Sequence, residues 1–191
     1  MTDIGRIIEG LRTAALDNAR AAFYPDGPVV ITGGNYLYDF VKESNLIEGI
    51  QRDPTLPEVQ AHLDLISGDD ISADKLKAFV DVIQPGAKLR MGTNMNVRVG
   101  AHRPISGGPQ VMIQLNEILS DIRTSHPFEI YCRYETLHPF MDGNGRSGRA
   151  LWLGMMIQKL GELPRSFLKT FHYQALAMHD RRQKLRDSTA N

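Results

Sequence analysis

The segment ALWLGMMIQKL, residues 150–160, carries apolar side chains on nearly every face of a helix. A helix on a protein surface shows one apolar stripe, and a helix apolar all round has to be surrounded. The chain must therefore supply partners on several sides, and the periodicity elsewhere says those partners are helices. Residues 2–23 read as an amphipathic helix stopped by YPDGP at 24–28. Residues 35–49 put Leu37, Phe40, Val41, Ser44, Ile47 and Glu48 on one stripe, with Gly49 as a C-terminal stop. Further helices are predicted over 56–67, 72–83 with a Ser72 cap, 109–123, 127–137 with Pro127 in the first turn, 164–171 and 173–187. One segment breaks the pattern. VRVGAHRPISGGPQV, residues 97–111, has the β-branched residues, prolines and glycines of a short hairpin. No internal repeat, low-complexity tract or linker interrupts the chain. The expectation is a single all-α domain over residues 1–191 with a small β element.

Composition narrows the function classes. A length of 191 residues suits one domain with a sizeable core, and 42% hydrophobic with 23% charged residues is ordinary globular chemistry. Lys+Arg and Asp+Glu balance at 22 each, so no bulk field draws the chain to nucleic acid or membrane. The basic run RRQKLR near the end reads as a solvated helix face. One cysteine, Cys132, excludes an intrachain disulfide and a cysteine zinc cage. The N-terminus lacks a signal-peptide pattern and no apolar run reaches spanning length, so a cytoplasmic protein is expected.

The chemistry concentrates directly ahead of the apolar helix. His138 precedes a proline, which disfavours the α region and ends a helix. Asp142, Gly143, Asn144 and Gly145 then lead into a helix whose first backbone N–H groups have no internal partners. A glycine-rich approach to a helix N-terminus is a ready anion site. Arg146 and Arg149, three apart, share a face, and cations at this positive end of the dipole make sense when a polyanion bridges them. Asp142 would repel that anion unless a hard cation such as Mg²⁺ intervened, held by one carboxylate plus substrate phosphates. His138 is the group here able to accept a proton. Base, metal carboxylate, anion nest and paired arginines together suit phosphoryl or nucleotidyl transfer. A calcium loop counted from Asp142 fails at Arg146 and Leu153, and the P-loop pattern is absent. Upstream, Ser44 and Glu48 lie four apart on an apolar stripe; a Glu48 facing inward from the last helical turn needs a cationic or hydrogen-bonding partner, and a solvated helix-end Glu is the other reading.

These residues carry a resemblance. HPFMDGNGRSGR, residues 138–149, resembles the signature of the Fic family (filamentation induced by cAMP), His-Pro-Phe-x-Asp/Glu-Gly-Asn-Gly-Arg-x-x-Arg, with every fixed position filled. The segment around 97–108 is similar to the family's flap, which aligns a target strand by β-augmentation. Thr93 and Asn94 stand roughly where the family often has a Tyr-Arg pair. SNLIEG, residues 44–49, resembles the family's inhibitory Ser/Thr-x-x-x-Glu-Gly/Asn motif, on a helix expected at about 35–49.

The resemblance implies a Fic-type all-α fold and a protein adenylyltransferase moving AMP from ATP to a Ser, Thr or Tyr hydroxyl. It implies His138 as base, Asp142 as Mg²⁺ ligand, and Gly143, Asn144, Gly145, Arg146, Gly148 and Arg149 around the ATP phosphates. Tyr173 would flank the adenine and Phe140 would anchor the loop in the core. Ser44, Glu48 and Gly49 would form an inhibitory segment whose carboxylate meets Arg149. With that segment in the same chain, no separate antitoxin subunit is required; self-modification and homo-oligomers are compatible. Removal of AMP from a modified protein, another nucleotide donor, and a catalytically quiet ATP sensor are the alternatives.

Overall fold

The computed structural model describes residues 36–68, 70–100 and 102–160, together with 4, 6–10 and 12–13. The expected helices at 164–171 and 173–187, Tyr173, and most of the first helix and its YPDGP stop lie outside the described residues. Residues 4, 6–10 and 12–13 are helical, and among the residues described from 36 to 160 six α-helices form: α1 (Tyr36–Ile47), α2 (Leu56–Ser67), α3 (Ala73–Ile83), α4 (Pro109–Ser120), α5 (Pro127–Leu137) and α6 (Asn144–Met155). The expected helix over 109–123 tightens to a 3₁₀ turn at Asp121–Arg123, and α6 runs on as a π-helical turn at Met156–Leu160.

Local chemistry sets the boundaries. Thr55 caps α2 in a reciprocal capping box with Glu58, and Ser72 accepts from the Lys75 N–H to start α3. Pro127 opens α5 with His126 as its cap. α1 closes in a Schellman motif: Gly49 adopts φ +80°, its N–H donates to the Leu46 carbonyl, and the Ile50 N–H donates to the Asn45 carbonyl. Glu48 is therefore the first residue beyond α1 and not, as expected, in its last turn.

α6 is the central helix, touching α1, α2, α3 and α5. One core lies beneath it, where Leu76, Val80, Leu115, Ile130, Phe140 and Leu151 pack from α3, α4, α5, the loop and α6. A second joins Phe40, Val41, Val59, Leu63 and Leu153 between α1, α2 and α6, with Ile4, Ile7 and Ile8 packed against it. The apolar character of 150–160 is thus matched by burial on opposite sides. The flap falls short of the expected hairpin. Among the described residues it forms one antiparallel bridge, Val99 to His102. Pro104 lacks the N–H that would extend the ladder. No described helix is long and apolar enough to cross a membrane.

Candidate active site

The loop between α5 and α6 is held from both ends. His138 ends α5 in the left-handed region, φ 50° and ψ 62°, with its N–H donating to the Tyr134 carbonyl at 2.9 Å. Phe140, fully buried, pairs with Leu89 as an isolated antiparallel bridge. The bridging hydrogen bonds fall on the flanking residues, Arg90 N–H to the Pro139 carbonyl and Met141 N–H to the Lys88 carbonyl, both at 2.9 Å. Phe140's own N–H and carbonyl therefore point away from Leu89. Both are taken by the Asn144 side chain at 2.8 Å. Asn144, expected to face a phosphate, is spent on the loop itself.

α6 begins at Gly143, φ 78°, with no side-chain cap. Its first-turn N–H groups have no partner within the helix. The Glu48 carboxylate lies against this turn, because a Cβ at Gly145 would collide with Glu48 Oε1 and lie 3.1 Å from Arg149. Arg149 closes the arrangement. Its Nε donates to Ser44 Oγ at 2.9 Å, and its terminal amine donates to the Ser44 carbonyl at 2.9 Å and to Glu48 Oε1 at 2.8 Å. Arg149's side chain is 1% exposed and Glu48's is 38% exposed, so a buried cation meets a carboxylate that reaches solvent. Glu48 is half-exposed, where the sequence pattern placed it facing the core.

Arg146 points elsewhere. It donates to the Ile83 carbonyl at 2.7 Å and to the Gln84 side chain, with Glu58 3.9 Å away. Gln84 in turn donates to Asp142 at 2.7 Å. The two signature arginines thus divide: Arg149 faces the helix N-terminus, and Arg146, expected there too, braces Asp142 from behind through Gln84. Asp142 is exposed, and each carboxylate oxygen accepts one hydrogen bond, from Gln84 and from the Gly143 N–H, which leaves acceptor capacity. Among the described residues no three His, Cys, Asp or Glu side chains gather into a metal cage. One exposed carboxylate with acceptor capacity to spare could take a single position on a divalent ion whose other ligands come from elsewhere.

His138 Nδ1 is buried. Burial pulls its pKa down to about 4, which the Glu135 carbonyl only partly opposes. His138 is therefore neutral at pH 7.

Residues 93–155 match the Fic/DOC family. The matched span runs from the flap to the end of α6 and leaves the 44–49 segment outside it. No curated protein matches the chain. Among solved structures, Fic-1 from C. elegans aligns over 92% of this chain and 63% of its own, with TM-score 0.55 and 18% identity. A Fic-domain-containing signaling protein from Bacteroides thetaiotaomicron aligns over 92% of this chain and 81% of its own, with TM-score 0.53 and 15% identity. The chain spans less than two thirds of the Fic-1 structure. At these identities the likeness establishes the fold, which is the all-α Fic fold.

The Fic fold brings Ser44, Glu48, Gly145 and Arg149 together, across separations of up to 105 residues, and joins Asp142 to Arg146 through Gln84. Besides Gln84, two residues at the site escaped sequence reading. Glu135, in the last turn of α5 and three residues before His138, has Oε1 buried and unpartnered. Burial raises its pKa to about 7. A Cβ at Gly148 would collide with Glu135 Oε1 and stand 3.1 Å from both Tyr131 and Tyr134, which explains that glycine. The second is Arg90, fully buried, which reaches the His138 loop from just ahead of the flap, earlier than Thr93 and Asn94. Its spacing from the signature carries no local signal.

Proposed function

We propose that the protein is a nucleotidyltransferase that moves AMP from ATP to a Ser, Thr or Tyr hydroxyl of a protein, and that Glu48 restrains it. The observation that carries this reading is the Glu48 carboxylate against the uncapped start of α6, paired with Arg149. That place attracts an anion twice, by dipole and by cation, and a terminal phosphate of ATP suits it in the same way. Neutral His138 would accept the hydroxyl proton. The hydroxyl oxygen then attacks the α-phosphorus, the bond to the bridging oxygen breaks, and pyrophosphate leaves. Asp142, braced by Gln84 and Arg146, would hold Mg²⁺, which neutralises phosphate charge. N–H groups of the turn at Gly143 to Gly145 would stabilise charge developing on the α-phosphate. Arg149 would grip the terminal phosphates once Glu48 leaves.

A second reading rests on the exposure of Glu48. A carboxylate 38% exposed beside the nest is placed to orient a water, which would suit removal of AMP from a modified protein. The test is incubation with α-labelled ATP and Mg²⁺, with parent and His138→Ala compared. Label on protein that depends on His138 supports transfer, and nucleotide binding without transfer of label to protein supports a quiet ATP sensor. Release of AMP from a modified protein, dependent on Glu48, supports the second reading.

A further inference from the structure

We propose that Arg90 is a positioning residue that couples the flap to His138; the part of this inference that concerns catalysis rests on the transfer reading above. Arg90 lies between α3 and the flap, fully buried. Its Nε donates to the His138 carbonyl at 2.7 Å, and one terminal amine donates to the Leu137 carbonyl at 2.7 Å. The other terminal amine donates to the Ile105 carbonyl in the flap at 2.7 Å and to the Met95 carbonyl at 3.4 Å. Its backbone joins the same two elements, since its N–H donates to Pro139 and its carbonyl accepts from Gly108. One guanidinium therefore ties the segment that would seat a target to the two residues that carry and precede the base.

The tie matters because His138 is held against its preference. A non-glycine residue is disfavoured at positive φ, and one preceding proline favours extended backbone. The Tyr134 carbonyl fixes the His138 N–H, and Arg90 fixes its carbonyl. Without the second tie, His138 is free to relax towards the extended region, which re-aims its ring. The planar, five-donor fork of arginine is what spans these carbonyls in one piece; a lysine ammonium is a point donor that cannot span them all.

Arg90→Lys, made in the parent and in Glu48→Gly, keeps the charge while losing the fork. Two measurements separate the claims. Hydrogen exchange should rise together in residues 102–108 and 137–141, with α2 and α3 unchanged. Unaltered exchange in both segments, or a rise in the flap alone, overturns the coupling. In Glu48→Gly, Arg90→Lys should lower kcat for AMP transfer on the order of 100-fold while ATP affinity stays within about 2-fold, because the ring is misplaced and the phosphate nest is untouched. Equal losses in affinity and rate, or a parental kcat, overturn the positioning role. Coupled exchange without any transfer by Glu48→Gly would retire the transfer reading and leave the flap-to-loop tie standing.

Discussion

Asn144→Ala tests how the signature loop is built. Asn144 is 2% exposed, and its amide satisfies both backbone groups of Phe140 at 2.8 Å. Alanine leaves a buried N–H and a buried carbonyl without these partners, at roughly 1–3 kcal/mol each, so about 2–6 kcal/mol in all. Each kcal/mol moves the melting temperature of a chain this size by roughly 2–4 °C, so a fall of about 4–24 °C is expected. Differential scanning calorimetry without nucleotide reads this directly. An asparagine reserved for a phosphate would behave otherwise: its removal would spare the melting temperature and lower activity alone. A variant melting within about 2 °C of the parent would refute the staple.

Three further outcomes follow from the site. Gly148→Ala drives a methyl into Glu135 and against two tyrosines, and should destabilise by roughly 1–3 kcal/mol in urea unfolding, whereas an unchanged midpoint would mean the helix shifts freely. His138 acts as the neutral form, so a pKa held down to about 4 keeps it active as pH falls from 7 to about 5; kcat/KM of Glu48→Gly should drop only below that, and a half-loss near 6.5 would mean a solvated ring. Asp142→Ala should raise the Mg²⁺ concentration that half-activates transfer at least about 10-fold, and an unaltered Mg²⁺ titration would remove Asp142 from the metal.

The helices were legible because their apolar spacing and caps are local properties. Thr55, Ser72 and Pro127 start helices by contacts within a few residues, and Gly49 ends one by its own φ. The uncapped start of α6 was legible for the same reason, since glycines directly before a helix signal themselves. The fates of the polar side chains were not. Arg146 and Arg149 are alike in sequence, and only packing against α3 and α1 sends one to Gln84 and the other to Glu48. Arg90 contacts a carbonyl 48 residues away and so left no trace in periodicity. The flap read as a hairpin from its β-branched residues, but one bridge forms where Pro104 stops pairing.

The central claim is that Glu48 occupies the place of a phosphate. Its hydrogen bond to the buried, charged Arg149 is of a kind worth roughly 1.5–3 kcal/mol, so its loss should tighten ATP binding about 10- to 150-fold. Incorporation of α-labelled AMP into protein is the direct measurement, made on parent, Glu48→Gly, and Glu48→Gly combined with Arg149→Ala. Glu48→Gly should incorporate at least about 10-fold more label than the parent, and the double variant should lose that gain because no freed arginine remains. Equal incorporation in parent and Glu48→Gly would contradict the account and make the Arg149 contact a structural ion pair.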